Sequence, residues 1–252
     1  MKKIIRSLFN GMGLEIHRKV KTANIPPAPV KLKEDTMEAA MLRARNKFGV
    51  KPETIIDLGA AAGTWTIKAQ KVWPAADFIL FEPLEERKNE LNALAAGNQK
   101  IKPVFAAAGN KKGKVKFKVT DDLDGSGVYD AEKEGSGRDV NITTIDDEMQ
   151  ELNSRSPFLI KFDTHGFEVP ILEGAVKTLS SAQLIIMECY GFRIAPNSLI
   201  FPEMCAYMEK LGFRLADIVD IMRREGDQLF WQCDAFFLPS SHSFFSRNTY
   251  AE

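Results

Sequence analysis

Two acidic residues and two glycines stand where they could hold a nucleoside. Asp57 lies in the mainly apolar run 54–58, which Gly59 and Gly63 follow, and Glu82 ends the next apolar run. Glycines at a strand-to-helix turn let the backbone approach a ligand, and a carboxylate after the next strand can accept hydrogen bonds from both ribose hydroxyls. We therefore predict a nucleoside cofactor site in which Asp57 orients the turn or pairs with a cationic group. Further cofactor contacts are expected from the neighbouring residues Ala60, Ala61, Thr64 and Pro83.

A second set of ionisable residues follows another apolar run, 158–162. His165 titrates nearest to neutral pH, so it is the first candidate for a general base. Asp163 or Glu168 could orient His165 or act as the base instead. Lys161 precedes Asp163 by two residues and therefore lies on the same strand face, where it could pair with a carboxylate or contact a substrate.

Glu188 adds a carboxylate after the apolar run 184–187. It could contact the substrate that accepts the transferred group or, together with Asp163, a cation. Two carboxylates without a clear third ligand make a weak cation site, so we predict no metal.

The elements that must position these residues alternate between strand and helix patterns. This order predicts a parallel sheet with right-handed crossovers. Strands are predicted over 54–58, 77–81, 102–107, 114–119, 140–143, 158–162, 184–187, 214–221 and 229–238. Helices are predicted over 35–48, 64–72, 84–96, 145–152, 169–179 and 201–211.

From about residue 37 to residue 239, the chain resembles the FkbM-type methyltransferases. The matching pieces occur in the order and at the spacing of that family. They are IDLGA (56–60), GTWT (63–66), FEP (81–83), AAGN (107–110) with Gly113, TIDD (144–147), LIKFDTHGFE (159–168) and LEGA (172–175).

The resemblance implies an α/β, class I methyltransferase (Rossmann-like) fold. Its seven-stranded, mostly parallel sheet has an antiparallel last strand and helices on both faces. The implied cofactor is S-adenosyl-L-methionine, with Ala107 and Asp163 among its contacts. The implied reaction is methylation of a hydroxyl, often on a sugar of a surface polysaccharide, a glycolipid or a natural product. The chain departs from the family at Ala61, where Asn is frequent, and at His165, where an acidic residue is common.

The composition of the chain limits the classes of partner that it is expected to bind. The 252 residues include 34 Lys and Arg and 34 Asp and Glu, a formal net charge of +0. A nucleic-acid-binding protein normally carries a basic excess, so we expect a hydroxyl-bearing acceptor and no nucleic acid. Cys189, Cys205 and Cys233 form no CxxC pair, which indicates free thiols in a reducing compartment such as the cytoplasm.

Three regions are expected along the chain: a basic amphipathic segment with a Pro-rich linker (1–30), one methyltransferase domain (31–240) and a polar tail (241–252). The segment 1–21 predicts either a peripheral contact with an anionic inner-membrane surface or a helix packed on the domain or on a partner chain. The Gly-, Asp- and Ser-rich stretch 121–137 is either a lid over the acceptor or a surface insertion. The sequence gives no indication of the oligomeric state.

Two other functions are compatible with the fold class. One is an NAD-type oxidoreductase on a Rossmann sheet, which the absence of GxGxxG and of a Tyr-x-x-x-Lys pair disfavours. The other is a catalytically inactive binding protein that keeps the methyltransferase fold.

Overall fold

The structure is a computed structural model that describes residues 35–123, 125–128 and 137–250. These residues all belong to the unit Lys33–Glu252. The predicted amphipathic segment and linker (1–30), part of the predicted lid (129–136) and the last two residues of the tail lie outside the described residues. No helix within the described ranges is long and apolar enough to cross a bilayer.

The strands are numbered in chain order. They are β1 Thr54–Leu58, β2 Asp77–Phe81, β3 Ile101–Val104, β4 Ala107–Ala108, β5 Gly113–Lys118, β6 Gly127–Val128, β7 Arg138–Thr143, β8 Phe158–Phe162, β9 Ala182–Tyr190, β10 Phe213–Arg223 and β11 Phe230–Pro239. The helices are α1 Met37–Asn46, α2 Thr64–Val72, α3 Lys88–Gly97, α4 Ile145–Glu151, α5 Glu168–Glu173, α6 Val176–Leu179 and α7 Phe201–Lys210.

Seven strands form the main sheet in the order β10-β11-β9-β8-β1-β2-β3. Neighbouring strands from β9 to β3 run parallel, whereas β11 runs antiparallel to both β9 and β10. The predicted mostly parallel sheet with an antiparallel last strand is confirmed. The smaller sheet has the order β4-β7-β5-β6 and lies outside this seven-stranded framework.

Helices cover both faces of the main sheet, as predicted. Side chains of α1, α2 and α3 pack with one face, which contributes Ile55 and Leu159. Side chains of α4 to α7 pack with the other face, which contributes Ile56 and Ile160. Because β1 and β8 are buried on both faces, apolar residues dominate both strands rather than alternating with polar ones.

Three predicted elements differ from the observed ones. The helix predicted over 84–96 begins as a 3₁₀ turn, Glu85–Arg87, and α3 follows it. The strand predicted over 102–107 divides, because β3 joins the main sheet and β4 joins the smaller one. The helix predicted over 169–179 breaks between α5 and α6, where a Cβ on Gly174 would lie 2.0 Å from the Gly109 carbonyl oxygen.

The end of the domain includes part of the predicted polar tail. Residues Ser243–Ser246 form a 3₁₀ turn, and Phe245 packs against the helix α1 side of the core. His242 is partly exposed, and its Nε2 lies 3.0 Å from the carbonyl oxygen of Phe48.

Gly59 closes the junction between the two central strands. Its φ is 74°, and a Cβ there would lie 2.1 Å from the Asp163 carbonyl oxygen. The Asp163 N–H donates to the Leu58 carbonyl at 3.0 Å, so the ends of β1 and β8 are held together at this point. Glycine is thus required by strand packing as well as by turn conformation.

Gly59→Ala should lower the free energy of unfolding by about 1–3 kcal/mol more than Gly49→Ala. Gly49 is a matched control because its φ is 73° and nothing lies within 4 Å of its Cβ position, so only the left-handed strain remains. Urea denaturation of both variants gives the comparison. Equal losses in the two variants would contradict the close approach at Gly59.

Candidate active site

A cavity of about 380 Å³ opens at the carboxyl ends of β1, β2 and β8. Ligands of open α/β sheets bind at this edge, outside the carboxyl ends of the strands. We call this space the first cavity. Its wall contains predicted site residues from all three strand ends and from the smaller sheet, namely Gly59, Ala61, Thr64, Glu82, Pro83, Ala107, Asp163 and His165.

Glu82 is the buried carboxylate of this cavity, with 5% of its surface exposed. Its Oε2 accepts from the Ala61 N–H and its Oε1 accepts from the Leu84 N–H, each at 2.9 Å. Burial raises the pKa of Glu82, while these two N–H groups act in the opposite direction. The two hydrogen bonds fix the carboxylate, and each oxygen keeps a second lone pair for a ligand hydroxyl.

Three other predicted contacts lie in the cofactor turn. Ala61 lines the cavity and adopts the left-handed conformation with a φ of 47°. Ala60 and Gly63 are outside the cavity wall. The Ala60 N–H donates to the Phe81 carbonyl, and a Cβ on Gly63 would meet the Leu94 side chain at 2.4 Å. Gly63 therefore serves helix packing.

Asp57 lies beneath the cavity wall and is fully buried. Its Oδ2 accepts from the Thr66 hydroxyl at 2.6 Å, and its Oδ1 has no hydrogen-bond partner among the described residues. Burial raises the pKa of Asp57, and Lys161 on the neighbouring strand opposes that rise. The expectation that Asp57 orients the turn fits its bond to the first turn of α2.

Lys161 is a buried cation with 4% of its surface exposed. Its Nζ donates to Asp163 Oδ2 at 2.5 Å, which is the pairing that the two-residue spacing predicts. Burial lowers the pKa of Lys161, but Asp163 and Asp57 outweigh this effect and raise it. Because Lys161 lines neither of the cavities described here, the predicted substrate contact gives way to a role in holding Asp163.

Asp163 stands between this buried cation and the cavity. Burial acts to raise the pKa of Asp163, but Lys161 and His165 outweigh it and hold the pKa below its usual value. Asp163 is therefore an ionised carboxylate on the cavity wall. It is a weak base, which favours His165 as the group that removes a proton.

His165 occupies a strained turn after β8. Its φ is 50°, and the following Gly166 has a φ of 96°. Glu168 holds this turn, since its Oε1 accepts from the Gly166 N–H at 2.8 Å and from the Thr164 hydroxyl at 3.1 Å. Non-glycine residues in this conformation cluster at functional sites.

Glu168 itself is 4% exposed and lines neither cavity. Burial raises its pKa, with the hydrogen bond from Gly166 acting against the rise. Glu168 is therefore not placed to act as the base by direct contact with reactants. The structure makes Glu168 a residue that positions His165.

A chain of hydrogen bonds lies behind His165. His165 Nδ1 is 3.1 Å from the Tyr190 hydroxyl, which donates to Glu188 Oε2. Gln232 Nε2 donates to the other oxygen of Glu188. Glu188 is inside β9 rather than at the strand end, and it lines neither cavity, so the predicted substrate contact is replaced by a contact with Tyr190.

Tyr190 and Gln232 escape the sequence analysis. A signal for Tyr190 was present, since it follows Glu188 by two residues and thus shares its strand face. Gln232 pairs with Tyr190 across β9 and β11, and this register depends on the antiparallel insertion of β11. Only the sheet order brings Gln232 to the site.

Glu188 has an unusual ionisation. Burial raises its pKa to about 8, and the negative charges of Asp163 and Asp234 add to the rise. The hydrogen bond from Tyr190 and the charge of Lys161 act in the opposite direction. At neutral pH, Glu188 therefore retains a proton more readily than an ordinary glutamate.

The same cluster approaches the spacing of a cation site. Within the described residues, one ligand atom each from Asp163, His165 and Glu188 lie within 4.8 Å of one another. His165 is the possible third ligand, which the sequence alone does not connect with the two carboxylates. However, Lys161 already supplies a positive charge to Asp163, and Tyr190 and Gln232 already donate to Glu188. The absence of a metal stays a prediction.

Solved structures with similar folds are methyltransferases of several kinds. The FkbM methyltransferase from Methylobacillus flagellatus KT is 15% identical with a TM-score of 0.48, over 73% of this chain and 43% of that one. The chain thus spans less than half of that protein's length. The precorrin-6y C5,15-methyltransferase from Geobacter metallireducens GS-15 is 11% identical with a TM-score of 0.45, over 84% and 93% of the two chains.

A third similar structure is the Burkholderia thailandensis 1,6-didemethyltoxoflavin-N1-methyltransferase with its bound substrate and S-adenosylhomocysteine. It is 11% identical with a TM-score of 0.46, over 95% of this chain and 88% of that one. No sequence among curated proteins matches the chain.

The family model of the methyltransferase FkbM domain matches residues 57–215. This match covers more than half of the chain and runs from the buried carboxylate of β1 to β10, so it includes both turns that line the cavity. The chain belongs to the FkbM family of S-adenosylmethionine-dependent methyltransferases.

Proposed function

We propose that this protein transfers a methyl group from S-adenosylmethionine to a hydroxyl oxygen of its acceptor. The observation that carries the proposal is the placement of His165 on the wall of the first cavity, with its Nδ1 already engaged by Tyr190. Its other ring nitrogen, Nε2, lies 3.7 Å from Asp163 Oδ1 and is the atom that would receive the proton of an acceptor hydroxyl.

The chemistry of the cavity fits the proposed cofactor. Glu82 suits a ribose because its fixed carboxylate can accept two hydroxyl hydrogen bonds. Asp163 supplies a second, ionised carboxylate across the cavity, which suits a cationic ligand. A dinucleotide would place its pyrophosphate at the turn after β1, and the absence of GxGxxG from that turn disfavours the NAD-dependent alternative.

When bound, the cofactor supplies an electrophilic methyl carbon for in-line displacement. The chain contributes alignment and proton removal. His165 Nε2 would take the proton of the acceptor hydroxyl as the acceptor oxygen is methylated, and the demethylated cofactor would leave as S-adenosylhomocysteine. Asp163 Oδ1, 3.7 Å from Nε2, stabilises the charge that the imidazole gains.

Tyr190 determines which nitrogen of His165 carries the proton. While Glu188 is ionised, the Tyr190 hydroxyl donates to it, so the Tyr190 oxygen accepts from His165 Nδ1–H and the single ring proton of the neutral imidazole lies on Nδ1. Once Glu188 is protonated, Glu188 can donate to Tyr190, whose hydroxyl then donates to Nδ1. In that state the ring proton lies on Nε2, and His165 no longer accepts a proton there.

For the acceptor, we propose a sugar hydroxyl of a surface polysaccharide, a glycolipid or a related natural product. The balance of 34 basic and 34 acidic residues supports a neutral or weakly charged acceptor over a nucleic acid. We place the reaction in the cytoplasm. The basic segment 1–21 would bring the protein to the inner-membrane surface, where lipid-linked glycans are assembled.

Glu82→Gln should weaken S-adenosylhomocysteine binding at least tenfold, because one charged hydrogen-bond acceptor for the ribose is lost. Isothermal titration calorimetry measures the effect. Glu86→Gln is the matched control, because Glu86 pairs with Arg138 on the surface and lines neither cavity. Preferential binding of NAD, or similar affinity for S-adenosylhomocysteine in both variants, would contradict the cofactor assignment.

His165→Asn should leave S-adenosylhomocysteine affinity unchanged and slow methyl transfer at least tenfold. Asn tolerates the left-handed conformation at this position, so the turn is kept while the base is removed. Transfer is measured with labelled cofactor and an acceptor that the wild-type protein methylates in a panel of glycosides. Undiminished turnover would exclude His165 as the base. A wild-type protein that binds the cofactor and methylates nothing would favour the inactive binding protein.

The kcat of the wild-type protein should rise with pH through a value near 8, as Glu188 loses its proton and the ring proton of His165 moves from Nε2 to Nδ1. In Tyr190→Phe this rise should disappear, because the hydroxyl that links Glu188 to His165 is gone. Tyr207→Phe is the control, since Tyr207 lies on α7 and lines neither cavity. A rise that persists unchanged in Tyr190→Phe would refute the link.

A further inference from the structure

A second cavity, of about 310 Å³, lies next to the first. The two cavities share Gly127, Val128 and His165. The remaining wall of the second cavity is a mixture of aromatic, aliphatic and polar side chains. Those that matter here are Tyr190, Trp231, Gln232, Lys118, Thr120 and Ile194.

We propose that this second cavity binds the ring of the acceptor, a sugar whose apolar face packs on Trp231 while its hydroxyl reaches His165. The proposal rests on the proposed methyl transfer and adds to it the acceptor site and a residue that selects the acceptor.

The position of His165 places the acceptor on this side. The cofactor occupies the first cavity, so the hydroxyl must enter from a space that also contacts the base. His165 lines both cavities, and so does Gly127 of β6. A Cβ on Gly127 would lie 3.5 Å from the Cβ of His165, so Gly127 stands directly beside the proposed base where the two cavities meet.

The wall of the second cavity suits a ring that has one apolar face and several hydroxyls. The Trp231 ring lies 6.1 Å from the Tyr190 ring in an edge-to-face arrangement. An aromatic face attracts the weakly positive C–H groups of a sugar ring, because its quadrupole is negative above the ring plane. Thr120, Gln232 and Lys118 place polar groups on the same wall, where sugar hydroxyls can form hydrogen bonds.

The Trp231 ring also contacts the ring of Phe192. The ring of Phe192 lies 5.9 Å from the Trp231 ring at an angle of 30°, and the guanidinium of Arg224 lies 4.3 Å from the Phe192 ring. The indole is therefore one layer of a stack that ends in a cation. A side chain fixed in this way can bind a ring with little further loss of conformational freedom.

Saturation-transfer NMR tests the proposal with the full-length protein saturated with S-adenosylhomocysteine. The probes are methyl glycosides of neutral hexoses, 6-deoxyhexoses and hexuronic acids, with phenol as a ring that lacks sugar hydroxyls. We expect at least one glycoside to bind more tightly than phenol. Trp231→Ala should raise the Kd of that glycoside at least tenfold, and Trp231→Phe, which keeps an aromatic face, should stay within about threefold.

Phe244→Ala is the matched control, because Phe244 is a partly exposed aromatic residue that lines neither cavity. It should leave the glycoside Kd unchanged. All variants should bind S-adenosylhomocysteine with wild-type affinity, which shows that they are folded.

Two results would overturn the acceptor site while the proposed function stands: S-adenosylhomocysteine binds but no glycoside does, or the glycoside Kd is the same in Trp231→Ala and wild type. Failure of the wild-type protein to bind S-adenosylhomocysteine would instead refute the proposed function, and the acceptor site with it.

Discussion

The buried ion pair between Lys161 and Asp163 is the constraint on which the site depends. Asp57 lies one residue before the end of β1, and Asp163 directly follows the adjacent strand β8. If both carboxylates were buried without a cation, one of them would have to become neutral. The charge of Lys161, within β8, outweighs burial at Asp163 and opposes the burial-driven rise in the pKa of Asp57 without cancelling it. Its ammonium thereby keeps Asp163 ionised at the cavity wall, next to the imidazole that is the proposed base.

The rest of the site is arranged around this pair in two layers. The ends of β1, β2 and β8 form the cofactor side, where Glu82 and the turn after Gly59 are fixed by backbone hydrogen bonds. Strands β9 and β11 form the proposed acceptor side, where Glu188, Tyr190 and Gln232 are linked side chain to side chain. His165 is the residue that contacts both layers, which explains why its turn is held so firmly by Glu168.

Local sequence patterns predict the central strands and α2 with their observed bounds, because apolar runs between glycine-rich turns have few alternatives. The same patterns place Glu82, Asp163 and His165 at one sheet edge. They do not predict the break at Gly174, which arises from contact with Gly109, or the division at β4, which depends on pairing with β7. Tyr190, Trp231 and Gln232 escape prediction because their proximity to His165 follows from strand order, which no local pattern encodes.

The left-handed backbone at residue 165 limits the side chains that this position accepts. That conformation favours Asn, Asp and His among non-glycine residues, and of these only Asp and His carry an ionisable side chain. Their ordinary pKa values are about 3.9 and about 6.5. A substitution between Asp and His at this position would therefore change which ionisable group stands beside Asp163 and keep the backbone conformation of the turn.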